Sequence, residues 1–372
     1  MIKSLKKYIA VFVISLLIVN QAGTIAHGEE SLPKINIDAR SSIALDCNSK
    51  ITLYEKNSDM LVPIASTTKI MTALVAIKYG DLNKMAVISE RAVNIKGSKV
   101  GYKKGEMISV RELLYGLMLR SGNDASIAVS EAVSGSVEEF IKLMNEYALE
   151  LGLVNSHFEV PHGLDSDNHY STAYDLAMIT AKAKECTEFN EITGTKDLDS
   201  KKYDFTRSYH NINKILWLLP EADGVKTGFT GKAGKCLVTS VNIDGNKVII
   251  VMLNCNNRWN ETVKIKNYIT KNYVYKKFFQ KDENIMKVSL PNYKGDISLV
   301  CNKDIIIPTK INSIYDSKII KPSKDSNGAL NKTSSLGSIE IYEDNNLIVK
   351  ESLRIGNISK NQLKPKRWNN FK

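Results

Sequence analysis

Cysteine is scarce in this 372-residue chain, with five residues and no C-x-x-C pair among them. Cys47, Cys186, Cys236, Cys255 and Cys301 are scattered and odd in number, which argues against a disulfide framework and against a zinc site. Buried apolar thiols, with at most one bridge, are expected instead. Proline is also sparse at 8 residues and glycine reaches only 21, so collagen-like and low-complexity architectures are excluded. No internal repeat of fixed period is visible. The apolar run from Tyr8 to Val19 ends at Asn20-Gln21, short of the ~20 residues that a spanning helix needs.

What is present suits a folded chain. Hydrophobic residues make up 43% and charged residues 24%, and at roughly 100–200 residues per domain the length predicts two or three domains. Lys3, Lys6 and Lys7 precede the apolar run, and Ala22, Gly23, Ala26 and Gly28 supply small residues before Glu29. This is the pattern of a secretory signal peptide over residues 1–28. The mature protein is therefore expected outside the cytoplasmic membrane, in the cell wall or at the membrane's outer face. Removing the three leader lysines lowers the formal net charge from +11 to +8, and no nucleic-acid partner is inferred from the remainder.

Along the chain, Ser42-Ile-Ala-Leu-Asp and Ile51-Thr-Leu-Tyr read as two strands about a Cys47-Asn-Ser-Lys turn. Helical spacing begins after Pro63, with Ile70, Met71, Leu74, Val75 and Ile77 on one stripe that ends near Gly80. Further helices are predicted at 110–119, 123–134, 137–151 and 172–186. Strands follow at 223–230, 234–243 and 247–254, the last two joined by a hairpin at Asp244-Gly245, and a helix at 257–272 closes the block. From about residue 276 short alternating runs take over, such as Met286-Lys-Val-Ser-Leu, Ile297-Ser-Leu-Val and Ser338-Ile-Glu-Ile-Tyr. The expected division is a leader over 1–28, a mixed α/β domain over 29–275, a small β domain over 276–357 and a basic tail over 358–372.

Three short motifs stand out. Ser66-Thr67-Thr68-Lys69 opens the helix after Pro63, and a spacing of three puts the hydroxyl and the amine on one helix face. Lysine can deprotonate serine only if its pKa falls, and burial and a helix N-terminus both push it down. The pattern alone is weak, since Ser4-x-x-Lys7 and Ser31-x-x-Lys34 match it too. At a helix start, however, the backbone N–H of Ser66 can also help hold an oxyanion. Ser121-Gly122-Asn123 falls between two helices and can aim a hydroxyl and an amide into a cleft, although Ser166-Asp167-Asn168 and Ser359-Lys360-Asn361 share its form. Lys226-Thr227-Gly228 is the only K-T-G and lies on a predicted strand that continues into Phe229. Its Lys and Thr offer charge and a hydroxyl to a carboxylate, and its Gly lets a substrate backbone approach.

S-x-x-K, S-x-N and K-T-G in this order form the set shared by penicillin-binding proteins and serine β-lactamases. The surrounding segments, Ala65-Ser-Thr-Thr-Lys-Ile-Met-Thr-Ala-Leu74, Leu117-Met-Leu-Arg-Ser-Gly-Asn-Asp-Ala125, His162-Gly-Leu, His169-Tyr-Ser-Thr-Ala-Tyr-Asp-Leu-Ala177 and Asp223-Gly-Val-Lys-Thr-Gly-Phe-Thr-Gly-Lys-Ala-Gly-Lys-Cys236, resemble the low-molecular-mass D-alanyl-D-alanine carboxypeptidases. The resemblance covers about 31–275. It implies an α/β (α+β) fold of the β-lactamase/DD-peptidase kind, an antiparallel sheet flanked by helices, followed by a small all-β domain. Two departures are Val160-Pro161, where the family usually has Asn-Pro, and a tail too short for the longer amphipathic helix of membrane-attached members.

The activity implied is removal of the terminal D-alanine from peptidoglycan stem peptides by a serine peptidase without metal or cofactor, with β-lactam antibiotics as covalent inhibitors. Ser66 is the expected nucleophile, Lys69 its base and Ser121 the proton relay. Asn123, Lys226, Thr227, Gly228, Phe229 and Arg258 are the expected substrate-binding residues, with the oxyanion between the N–H groups of Ser66 and Phe229 and the carboxylate on Lys226, Thr227 and Arg258. His157, His162, His169 and His210 lack helical i,i+4 pairing, so loop hydrogen bonding is favoured over metal. Asp175 is expected as a cap or first-turn acid. A β-lactamase, an endopeptidase or transpeptidase, and an inactive wall-binding protein remain open, although no Glu-bearing loop of the class A β-lactamase kind is evident. Residues 359–372, with five basic residues, no acid, Trp368 and Phe371, suggest weak contact with a membrane surface or anionic wall polymer.

Overall fold

The computed structural model describes residues 32–289, 295–321 and 336–357. The leader and the basic tail lie outside the described residues. A five-stranded antiparallel sheet forms from β1 (Ser41–Asp46), β2 (Thr52–Lys56), β3 (Ala222–Thr230), β4 (Gly234–Ile243) and β5 (Asn246–Leu253), in the order β2-β1-β5-β4-β3. β1, β4 and β5 read as nearly continuous buried runs because helices cover both sheet faces. The turn at Asp244-Gly245 takes φ of 50° and 79°, the two positive values that a tight hairpin demands.

The helical side is built around α1 (Lys69–Tyr79), which is buried from Lys69 to Ala76. It packs against α2 (Val110–Leu119), α3 (Asn123–Ser134), α4 (Val137–Glu150), α5 (Ala173–Ala183) and α6 (Thr187–Gly194). α5 also lies on β1 and β5, while α7 (Arg258–Asn272) packs on β4 and β5. Side chains cap several of these helices: Ser109 accepts from the Glu112 N–H, Ser136 from that of Glu139 and Thr172 from that of Asp175. Gly135, at φ 81°, closes α3 in the left-handed conformation. Asp175 is thus a first-turn acid, and its carboxylate accepts from Ser156 Oγ at 2.7 Å.

The C-terminal strands are β6 (Tyr273–Phe279), β7 (Asn284–Ser289), β8 (Asp296–Cys301), β9 (Ile305–Lys310), β10 (Tyr315–Ile320), β11 (Ser338–Glu343) and β12 (Asn346–Ile355). β6 pairs with β9, and the others form a sheet in the order β7-β8-β12-β11-β10. Their alternating sequences bury a separate core of Ile297, Leu299, Ile305, Ile307, Ile339, Ile341 and Leu353. Helices with antiparallel sheet followed by an all-β region bear out the expected fold class. All five cysteines are free, and only Cys186 is less than buried. No helix of the described residues is long and apolar enough to cross a membrane.

Candidate active site

Ser66 is the second residue of a 3-10 turn, Ala65–Thr68, that runs straight into α1 at Lys69. This refines the expected helix start: Ala65 takes φ 48°, in the left-handed region, and turns the chain sharply before Ser66. The turn packs against β3 and β4. Thr72 Oγ1 on α1 donates to the Pro161 carbonyl at 2.6 Å, which ties the helix to the H-G-L loop.

Lys69 is fully buried, and its Nζ lies 3.0 Å from Ser66 Oγ, 2.8 Å from Asn123 Oδ1 and 2.5 Å from the His162 carbonyl. Its pKa is held well below the ordinary lysine value, first by burial and then by the charge of Lys226, against a smaller opposing effect of Asp124. Asn123 is fixed in turn: its Nδ2 donates to the Lys96 carbonyl at 2.7 Å and its backbone N–H to the Ser98 carbonyl at 2.8 Å. Ser121 is buried on the adjoining loop at φ 57°. The direct side-chain hydrogen bonds at this site join Lys69 to Ser66 and to Asn123.

β3 is one of the two edge strands of the sheet and carries Lys226, Thr227, Gly228 and Phe229. Lys226 is buried, its Nζ donates to the Thr227 carbonyl at 2.9 Å, and burial followed by the charge of Arg258 lowers its pKa to about 7. Thr227 is buried, whereas Phe229 is 66% exposed at the strand's outer end. Arg258, at the start of α7, donates through Nη1 to the carbonyls of Gly228 at 2.7 Å and Cys236 at 2.9 Å, while its buried Nε has no partner among the described residues. The guanidinium therefore braces the end of β3 from behind.

Neighbouring side chains support these residues. The Asp124 carboxylate accepts the N–H groups of Val100 and Gly101 at 2.9 and 2.8 Å and shapes the segment that holds Asn123. His162 and His169 are buried, and burial first of all lowers their pKa values to about 3 and about 4. Both serve hydrogen bonds within loops. Among the described residues no group of three or more His, Cys, Asp or Glu could hold a metal.

A buried lysine within hydrogen-bond distance of a serine hydroxyl, facing a K-T-G edge strand, is the equipment of an acyl-transfer serine enzyme. A family model described as D-alanyl-D-alanine carboxypeptidase matches residues 27–257. The chain belongs to this family. It is a serine-type peptidase. A second model, described as penicillin-binding protein 5, C-terminal domain, matches residues 273–360. The chain is 32% identical over 323 residues to the D-alanyl-D-alanine carboxypeptidase DacF of Bacillus subtilis, covering 84% of this chain and 83% of that one. It is 33% identical to DacA of Escherichia coli over 340 residues, or 85% and 82% of the two chains. Among solved structures, penicillin-binding protein 5 of Haemophilus influenzae aligns with a TM-score of 0.76 at 28% identity, over 88% of this chain and 98% of that one. A mutant of the Streptomyces K15 DD-transpeptidase aligns with a TM-score of 0.59 at 32% identity, over 63% and 98%.

Proposed function

We propose that the peptidase cleaves the terminal D-alanyl-D-alanine bond of peptidoglycan stem peptides through an acyl-enzyme on Ser66. The observation that carries this reading is the set of contacts around Lys69 Nζ. A neutral amine has two N–H bonds and one lone pair. With both N–H bonds directed at Asn123 Oδ1 and the His162 carbonyl, the lone pair is left for the Ser66 hydroxyl. Burial favours that neutral form.

In acylation Ser66 Oγ bonds to the penultimate D-alanine carbonyl carbon, and its proton passes to Lys69. The tetrahedral oxyanion lies between the backbone N–H groups of Ser66 and Phe229. As the C–N bond breaks, Ser121 relays a proton to the amine of the departing D-alanine. Water then attacks the ester, again with Lys69 as base, and frees the shortened peptide and Ser66. Edge position leaves one side of β3 open, so a substrate backbone can line up beside it while Asn123 holds its acyl-side amide. Lys226 and Thr227 bind the terminal carboxylate, Gly228 permits close approach, and Arg258 adds positive charge from behind.

β-Lactams acylate Ser66 in the same way. Among the described residues the hydrogen-bond partners of Ser66 and Lys69 include no carboxylate, which disfavours rapid β-lactam turnover of the class A kind. The similarity to a DD-transpeptidase supports a second reading, in which an amine replaces water as acceptor. The proposal includes a division near residue 275, export through the 1–28 leader, and contact of the 358–372 tail with an anionic wall or membrane surface. Incubation with a pentapeptide muropeptide should release D-alanine, and Ser66→Ala should abolish both release and penicillin labelling. Labelling that survives Ser66→Ala removes the nucleophile assignment. Deleting 359–372 should spare release while reducing sedimentation with anionic vesicles at low salt.

A further inference from the structure

The peptide unit between Ala65 and Ser66 carries, at one end, the N–H proposed above as an oxyanion donor. At its other end the Ala65 carbonyl accepts from Thr68 Oγ1 at 2.8 Å, and Thr68 Oγ1 stands 2.7 Å from His169 Nε2. Proton positions along this chain follow from its neighbours. The Glu159 N–H donates to His169 Nδ1 at 3.1 Å, which leaves the proton of a neutral ring on Nε2. Nε2–H then donates to Thr68 Oγ1, whose single hydrogen goes on to Ala65. A His169 pKa near 4, lowered mainly by burial, keeps the ring neutral at ordinary pH.

We propose that Thr68 and His169 are positioning residues for catalysis, holding and polarising the Ala65–Ser66 peptide so that the Ser66 N–H meets the oxyanion. This rests on the acyl-transfer reading of Ser66. A hydrogen bond accepted at a peptide carbonyl makes the N–H of the same peptide a stronger donor. Orientation matters as much, because Ala65 sits at φ 48°, a conformation that a residue with a side chain resists. The surroundings are built for that conformation: a β-carbon at Gly163 would fall 2.0 Å from the Ala65 carbonyl oxygen. Thr68 is fully buried and His169 is 4% exposed, so water cannot readily replace either hydrogen bond. The ring is further seated edge-to-face on Phe158, with centroids 5.8 Å apart.

Backbone attachment by a threonine to a carbonyl three residues earlier is common in helices and can be purely structural. The test must therefore separate rate from stability. Thr68→Val removes the hydroxyl at nearly constant shape, Thr68→Ser keeps it, and His169→Phe removes the donor behind it. For each, three quantities are measured on the full chain: penicillin acylation rate, the affinity of a peptide boronate that forms a tetrahedral adduct, and thermal midpoint. Thr68→Val and His169→Phe should each lose about ten-fold or more in acylation rate and in boronate affinity. Thr68→Ser should stay within about three-fold of wild type. The double variant should lose little beyond the worse single one, because the residues act in series. In a Ser66→Ala background the noncovalent peptide affinity should not change.

Wild-type acylation by folded Thr68→Val overturns the role, as does a Thr68→Ser protein as slow as Thr68→Val at equal midpoint. If Thr68→Val does not fold, the comparison of His169→Phe with Thr68→Ser decides in the same way. A wild-type protein that neither labels nor releases D-alanine sinks the underlying reading. An active wild type beside equally active variants sinks the positioning role alone.

Discussion

Gly228 stands so close to Ser66 that a β-carbon on it would lie 3.1 Å from the Ser66 amide nitrogen. The same atom would be 3.1 Å from the Ala65 β-carbon and 3.3 Å from the Ile64 carbonyl oxygen. The glycine of K-T-G thus permits the edge strand to lie directly on the turn that carries Ser66. Gly228→Ala should shift β3 away by a few tenths of an ångström. Acylation by penicillin should fall about ten- to a hundred-fold, since small displacements of reacting groups are costly. An unchanged acylation rate in the folded variant would show that the close approach is incidental.

Thr227→Ala should impair D-alanine release more than penicillin acylation. A small dipeptide end depends heavily on its carboxylate contacts, and a hydrogen bond to a charged group contributes about 1.5–3 kcal/mol. The buried position of Thr227 beside Lys226 supports this, because desolvation strengthens the contact. Measuring kcat/KM for a D-Ala-D-Ala peptide and the acylation rate side by side checks it, and equal losses on both count against discrimination by the strand.

Much of this arrangement was legible because local rules and tertiary demands agree. The Ser66–Lys69 spacing, the apolar stripe of α1 and the Asp244-Gly245 turn each act within a few residues, and the structure has them where expected. Residues with long-range partners were not legible in the same way. The His162 carbonyl reaches Lys69 across 93 positions and His169 reaches Thr68 across 101, and neither distance leaves a periodic trace. The left-handed Ala65 is equally silent, since alanine is an ordinary helix former and only its packed surroundings impose φ 48°. The short strands Met85–Val87 and Met107–Ser109 were also missed, being too brief to show alternation. Arg258 was read for its charge, whereas its observed bonds go to main-chain carbonyls.

Asp124 links loop stability to the chemistry of Lys69. Its carboxylate is 1% exposed and accepts the Val100, Gly101 and Ala125 N–H groups. Asp124→Asn should destabilise the fold by about 1.5–3 kcal/mol, as the loss of charge-assisted bonds commonly does. Because the negative charge of Asp124 raises the Lys69 pKa, its removal should move the alkaline-going rise of activity to lower pH. Thermal melting and a pH series of acylation rates test the two parts separately. A rise that moves to higher pH would contradict the electrostatic link.

The complete pH profile follows from two buried lysines with opposite requirements. In the proposed mechanism Lys69 must be neutral to accept the Ser66 proton, so kcat/KM should rise as pH climbs through the apparent pKa of its cluster. In the same mechanism Lys226 must be charged to bind the terminal carboxylate. Its pKa of about 7 in the unliganded site means that this charge is lost as pH climbs further. A bell is therefore expected in kcat/KM, which reports the free enzyme, with a descending limb governed by Lys226. A bound carboxylate stabilises the lysine cation, so the descending limb should lie at higher pH in kcat than in kcat/KM. Lys226→Arg removes the titration, because arginine stays protonated, and should flatten the descending limb even if the peak rate falls. An unmoved descending limb in Lys226→Arg would assign it to another group.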